Sequence, residues 1–161
     1  MKMVNQKFPQ VSGNNLLREN VSLPGDLSAA YNLLLIAFYQ PQQDDINTWL
    51  PYAKKLESDR PDFTYFELPV IRSLNPLARW FINEGMRAGI GDREALARTV
   101  TLYLDKNEFR NTLGIVNENT IHILLVHRTG EILWQTTGRY SEEKHDALIE
   151  QMNTKYLIEE R

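Results

Sequence analysis

Few residues in this chain of 161 are equipped for chemistry. It carries three histidines, His122, His127 and His145, and no cysteine. Without cysteine there is no thiol nucleophile, no thiolate metal site and no disulfide. His122 and His127 fall five residues apart in a stretch that reads as one strand, so their side chains are expected on opposite faces. They cannot then share a metal. His145 sits on the rim of a C-terminal helix stripe. Zinc needs three or four converging ligands. Packed or surface imidazoles are therefore the expectation, with neither a metal nor a cofactor.

The oxygen nucleophiles and acids are no better placed. Asp44 and Asp45 are adjacent, and neighbours on a helix diverge by about 100°, whereas a carboxylate pair must converge on one bond to work as acid and base. Capping a helix start is the plainer role for them. Ser22, Ser28, Ser73 and Ser141 lie outside any Gly-x-Ser-x-Gly frame. Gly89-Ile90-Gly91 follows a helical pattern rather than a strand, which marks a loop and not a phosphate cradle. Arg79, Arg87, Arg93, Arg98 and Arg110 fall in or near one region. If Arg79, Arg87 and Arg93 cluster, they could hold an anion or an acidic partner surface. A solvated basic face is the alternative.

Composition narrows the class further. Apolar residues make up 42% and charged residues 24%, with a net charge of -3. One hydrophobic core fits this length and two do not. The charges are mixed in sign and scattered, which argues against nucleic-acid binding through a concentrated basic field. Leu33 to Tyr39, seven residues, is the longest apolar run, against roughly 18 for a membrane span. Met1 to Asn15 has neither an apolar core nor an arginine-rich amphipathic pattern. A soluble protein of the cytoplasm or an organelle matrix, without a signal peptide, is the expectation.

These residues need elements to position them. Residues 1–30 read as short extended pieces joined by turns. Residues 32–39 read as a central strand covered on both faces and ended by Pro41. Ile46, Trp49, Leu50, Ala53 and Leu56 form a helical stripe, in which Pro51 predicts a kink. Phe63 to Leu68 is a second strand. Asn75-Pro76 opens a helix with Leu77, Trp80 and Phe81 inward and Gly89 at its end, and Asp92 caps a further helical turn. Thr99 to Leu104 is a third strand. Asn107 to Leu113 is a short helix stopped by Gly114. Ile121 to His127 and Glu131 to Thr137 make a hairpin about Thr129-Gly130. The last helix opens at Ser141-Glu142-Glu143, with Leu148, Ile149 and Met152 inward. Strands alternating with helices, then a hairpin and a helix, predict one mixed sheet with helices on both faces.

With Phe8-Pro9-x-Val11-x-Gly13, Val21-x-Leu23-Pro24-x-Asp26-Leu27, the strand ending in Phe38-Tyr39-Gln40-Pro41, the internal Pro51 and the terminal hairpin and helix, this order resembles the thioredoxin-like superfamily in its peroxiredoxin-like form. The resemblance implies one domain over residues 1–161. Its architecture would be a three-layer α/β/α sandwich with a central mixed sheet, an N-terminal extension over 1–30 and a helical insert over 72–97. A Cys-x-x-Cys pair would occupy positions 43 and 46, which here hold Gln43 and Ile46. The usual cis-proline would fall near Ile121, and no proline occurs from Asn117 to His127. A narrower match runs through Arg110-x-x-Leu113-Gly114-Ile115-x-Asn117, Gly130-x-Ile132-x-Trp134-x-x-x-Gly138 and Ile46-Asn47-Thr48-Trp49-Leu50. These look like the mitochondrial ATP synthase assembly factor family of the "factor ten" type.

A non-catalytic binding or assembly module is therefore expected rather than an enzyme. Thiol-disulfide exchange needs a thiolate, and none is available. The expected contact residues are Tyr39, Gln40, Gln42, Gln43 and Asp44 at the vestigial redox turn, with Arg79 and Arg87 from the insert. Another protein is the expected partner, and the resemblance suggests membrane-sector subunits of the ATP synthase. The alternative is a small-molecule-binding or sensor domain that uses the same turn as a polar pocket.

Overall fold

The computed structural model describes residues 6–72, Asn83, Met86 and 92–159. In chain order these form β1 (Val11–Asn15), β2 (Asn20–Leu23), β3 (Tyr31–Ala37), a 3₁₀ turn (Gln40–Gln42), α1 (Gln43–Asp59), β4 (Phe63–Arg72), α2 (Arg93–Arg98), β5 (Val100–Leu104), α3 (Lys106–Leu113), β6 (His122–Val126), β7 (Ile132–Thr137) and α4 (Glu142–Glu159). The seven strands form one sheet in the order β2-β1-β5-β4-β3-β6-β7. β3, β4 and β5 run parallel, and every other pairing is antiparallel.

Alternation along β3 sorts the core into two layers, because successive side chains of a strand point to opposite faces. Tyr31, Leu33 and Leu35 face Ile46, Trp49, Ala53 and Leu56 of α1 and Leu148 and Met152 of α4. Leu34 and Ile36 face the other way, onto Phe109 and Leu113 of α3 and onto Phe8, Leu23 and Leu27 from the N-terminal segment. Helices thus cover both faces, as a parallel centre requires.

Most elements lie where the residue pattern puts them, with instructive shifts. The N-terminal pieces are not loose extended segments. β1 and β2 form a hairpin that joins the sheet beside β5. β3 stops at Ala37, two residues before the expected end, because the N–H groups of Phe38 and Tyr39 bond to a side chain instead of a strand. β4 runs on to Arg72, so position 72 closes a strand rather than opening an insert. Of the expected insert, Asp92 does cap α2, accepting from the Glu94 N–H. The helix expected from Asn75, and with it Arg79 and Arg87, lies outside the described residues. α1 runs continuously through Pro51. Gly114 ends α3 in the left-handed region at φ 68, as its position after Leu113 suggests. His127 lies just past β6 rather than within it.

The joint between β1 and β5 leaves no room for a side chain at Gly13. A Cβ there would sit 2.1 Å from the Thr101 carbonyl oxygen. At Gly25 a Cβ would meet nothing within 4 Å. Gly13→Ala should therefore lower unfolding stability by about 1–3 kcal/mol, since backbone must shift to admit the methyl. Gly25→Ala should stay within about 0.5 kcal/mol of the parent. Urea denaturation of both variants checks the pair.

Candidate functional site

The parallel strands β3, β4 and β5 all end on the same side of the sheet, and an open α/β sheet commonly presents its binding residues there. β3 leads into the turn that carries Tyr39, Gln40, Gln42, Gln43 and Asp44.

Gln42 is buried, and both ends of its amide are used. Its Oε1 accepts from the N–H of Phe38 at 2.8 Å and of Tyr39 at 3.3 Å. Its Nε2 donates to the Glu118 backbone carbonyl at 2.6 Å. The turn is in this way tied to the loop between α3 and β6. Tyr39 is 51% exposed, yet its ring is held. The phenol donates to Glu118 Oε1 at 2.9 Å, and the Lys106 ammonium stands 4.6 Å from the ring centroid. Lys106 also donates to the Phe38 carbonyl at 3.2 Å.

Glu118 is the hub of this network. It lies 3.1 Å from Arg110 Nη1 and 3.5 Å from Lys106 Nζ. Arg110 further donates to the Val116 carbonyl. Burial pushes the Glu118 carboxyl up, but donation from Tyr39 and the charges of Lys106 and Arg110 outweigh it, so it ionises below the ordinary carboxylate range. The same contact raises the Tyr39 phenol, which must give up its proton beside an anion.

Positions 43 and 46, where the resemblance would place a cysteine pair, hold Gln43 and Ile46. The Gln43 amide donates at 3.0 Å to Asn47 Oδ1 and at 3.0 Å to Glu67 Oε1. Ile46 is 1% exposed, in the core layer with Trp49. Glu67 lies under the start of α1, and its burial raises its carboxyl above the ordinary range despite the Gln43 donation. Of the two aspartates, Asp44 is exposed while Asp45 pairs with Arg139 at 2.7 Å. Gln40 is exposed.

Nearby, Arg72, Leu104, Asp105, Lys106, Asn107 and Glu118 line an open cleft of about 490 Å³. Asp105 is committed to capping α3, accepting from the N–H groups of Asn107 and Glu108. Of the five arginines, Arg79 and Arg87 lie outside the described residues. Arg98 makes a two-pronged pair with Glu57 at 3.0 Å on each prong and lies 4.0 Å over the Tyr65 ring. Arg93 is exposed.

His122 is buried with Nε2 3.1 Å from the Asn117 carbonyl, which makes Nε2 the protonated nitrogen. Burial holds its basicity below the ordinary imidazole range. Among the described residues no three of His, Cys, Asp and Glu converge as metal ligands, and no helix is long and apolar enough to cross a membrane.

Residue pattern alone singles out Tyr39, Gln42 and Gln43 but not the groups that hold them. Glu118 is 79 residues from Tyr39 along the chain and Glu67 is 24 from Gln43. No local spacing signals either contact. Arg110 stands out in the sequence as one of several cations and as the start of the Arg110-x-x-Leu113-Gly114 motif, and neither signals its pairing with Glu118.

The two carboxyls predict opposite pH behaviour. Glu118 is shifted down, so its ionised form stabilises the fold above about pH 4.3, the unfolded carboxylate value, and the benefit is lost as pH falls through the folded value. Glu67 is shifted up, so its ionisation opposes folding increasingly as pH rises from there. Glu118→Gln should lower the urea midpoint at neutral pH and Glu67→Gln should raise it. Both differences should shrink in acid, and midpoints measured across the pH range check the signs.

No protein-family model and no curated protein matches this chain. Solved structures do. The thioredoxin domain of a thiol-disulfide oxidoreductase from Bacteroides vulgatus is similar over 93% of this chain and 98% of that one, with TM-score 0.57 and 18% identity. A domain of a possible thiol-disulfide isomerase from Cytophaga hutchinsonii covers 98% and 97%, with TM-score 0.60 and 14% identity. BsSco, of the Sco family of cytochrome c oxidase assembly proteins, covers 94% and 95%, with TM-score 0.59 and 14% identity. Such identities speak to fold alone. The mixed sheet, its two helical layers and these neighbours together make this a thioredoxin-like fold.

Proposed function

We propose that this protein is a non-catalytic thioredoxin-like module that binds another protein through the turn between β3 and α1. The observation that carries the reading is what stands at positions 43 and 46, where the resemblance implies the redox pair. Gln43 is locked to Asn47 and Glu67, and Ile46 is packed in the core. Neither can attack a disulfide, and the 161 residues hold no cysteine that could. Just ahead of them stands an aromatic side chain that is half-exposed and held by Glu118 and Lys106. A pre-positioned tyrosine loses little freedom on binding and is a common anchor of protein interfaces.

In this reading Tyr39 makes the central contact. Gln40, Gln43 and Asp44 form its polar rim, and Gln42 holds the turn from beneath. Arg79 and Arg87 are proposed as further contacts. BsSco, with the same fold, is described as belonging to a family of assembly proteins, which is a precedent for assembly work on this scaffold. The more specific proposal, resting on the motif resemblance, is that the partner is a membrane-sector subunit of the ATP synthase.

The test is capture of the tagged protein from its native cells after mild crosslinking, read by mass spectrometry against Tyr39→Ala. The proposal predicts a reproducible set of partners whose recovery falls about tenfold or more in the variant, as for loss of an interface anchor. Enrichment of membrane-sector subunits in that set would support the specific version. Equal recovery with the variant, or no partner from well-recovered bait, would refute the placement.

A further inference from the structure

The cleft at the ends of β4 and β5 holds charge that the turn does not use. Arg72 closes β4 and is exposed, and its guanidinium has no hydrogen-bond or ion-pair partner among the described residues. The Asn107 side-chain amide is likewise without one among them. Every other charged group among the described residues of the lining is engaged. Lys106 is spent on Glu118 and the Phe38 carbonyl, Glu118 accepts from three donors, and Asp105 caps α3. The cleft of about 490 Å³ is of the size that ligand sites have, and it lies at the carboxyl ends of parallel strands.

We propose that this cleft is a carboxylate-binding site with Arg72 as its principal donor and Asn107 as an auxiliary one. The chemistry rests on which groups are free and which are fixed. A guanidinium presents two parallel N–H groups that match the two oxygens of a carboxylate, and a side-chain amide adds a neutral donor. The fixed anions Asp105 and Glu118 share the lining. They disfavour a ligand with two full charges at one centre, such as phosphate, and leave a singly charged carboxylate as the better fit. The carboxylate could come from a free organic acid or from the C-terminus of a peptide. Both sources present the same group.

The experiment is amide NMR titration of the full chain with four probes: acetate, succinate, and one short peptide ending either in a free carboxylate or in an amide. The parent is compared with Arg72→Gln and with Arg128→Gln, an exposed arginine of the β6–β7 turn. The proposal predicts saturable shifts at Arg72, Lys106 and Asn107 with at least one carboxylate probe. Loss of the charge-assisted bonds should weaken binding about tenfold or more in Arg72→Gln, with Arg128→Gln unchanged. Saturation by acetate or succinate assigns the site to free acids. Saturation by the free-acid peptide but not by its amidated twin, with both small acids silent, assigns it to a chain terminus. Absence of saturable shifts with every probe, or binding that survives Arg72→Gln, would overturn the proposal. Because the readout is a titration rather than partner capture, this outcome is independent of whether Tyr39 anchors a protein.

Discussion

The carboxamide of Gln42 is the constraint on which the candidate surface depends. Three hydrogen bonds converge on it, two from the N–H groups of Phe38 and Tyr39 and one to the Glu118 carbonyl. They end β3, bend the chain into the 3₁₀ turn and fasten that turn to the loop preceding β6. A buried amide with both ends satisfied is stabilising, whereas one left half-satisfied costs more than an apolar residue would. Once the backbone carbonyl of Glu118 is held, its carboxylate is in place for Tyr39, Lys106 and Arg110. One local lock thus sets both the direction of the exposed tyrosine and the charge beside it.

A second consequence concerns positions 43 and 46. A helix start is a favourable place for an anionic nucleophile, because the helix's partial positive charge stabilises an anion there. Here the first turn of α1 carries Gln43 and Ile46 beside two aspartates, Asp44 exposed and Asp45 paired with Arg139. Gln43 bridges to Glu67, and Ile46 completes the layer that includes Trp49. Hydrogen bonding at position 43 and core packing at position 46 define this end of the helix. A carboxyl that burial keeps reluctant to ionise, Glu67, suits a neutral amide partner better than a thiolate.

How much of this is legible in the residues depends on the range of the interaction. β3 and α1 can be read because apolar periodicity is local, and Gly114 can be read as a helix stop because only a residue tolerant of positive φ ends a helix that way. The β1–β2 hairpin cannot, since its sheet position depends on β5, which lies about eighty-five residues later along the chain. The extension of β4 to Arg72 is hidden for the same reason, as Val70, Ile71 and Arg72 pair with β5. At the site, the turn residues are legible and their partners are not. Gln42 looks like a contact residue because glutamine is usually exposed; only the long-range placement of Glu118 makes it a strut.

The most direct test of this account is hydrogen exchange at the turn in the parent and in Gln42→Ala. If the carboxamide is the lock, the amides of Phe38 and Tyr39 should lose most of their protection in the variant, while Leu34 and Leu124 in the paired core of β3 and β6 should keep theirs. Unchanged protection at Phe38 and Tyr39 would contradict the account, since the turn would then be held by something other than Gln42.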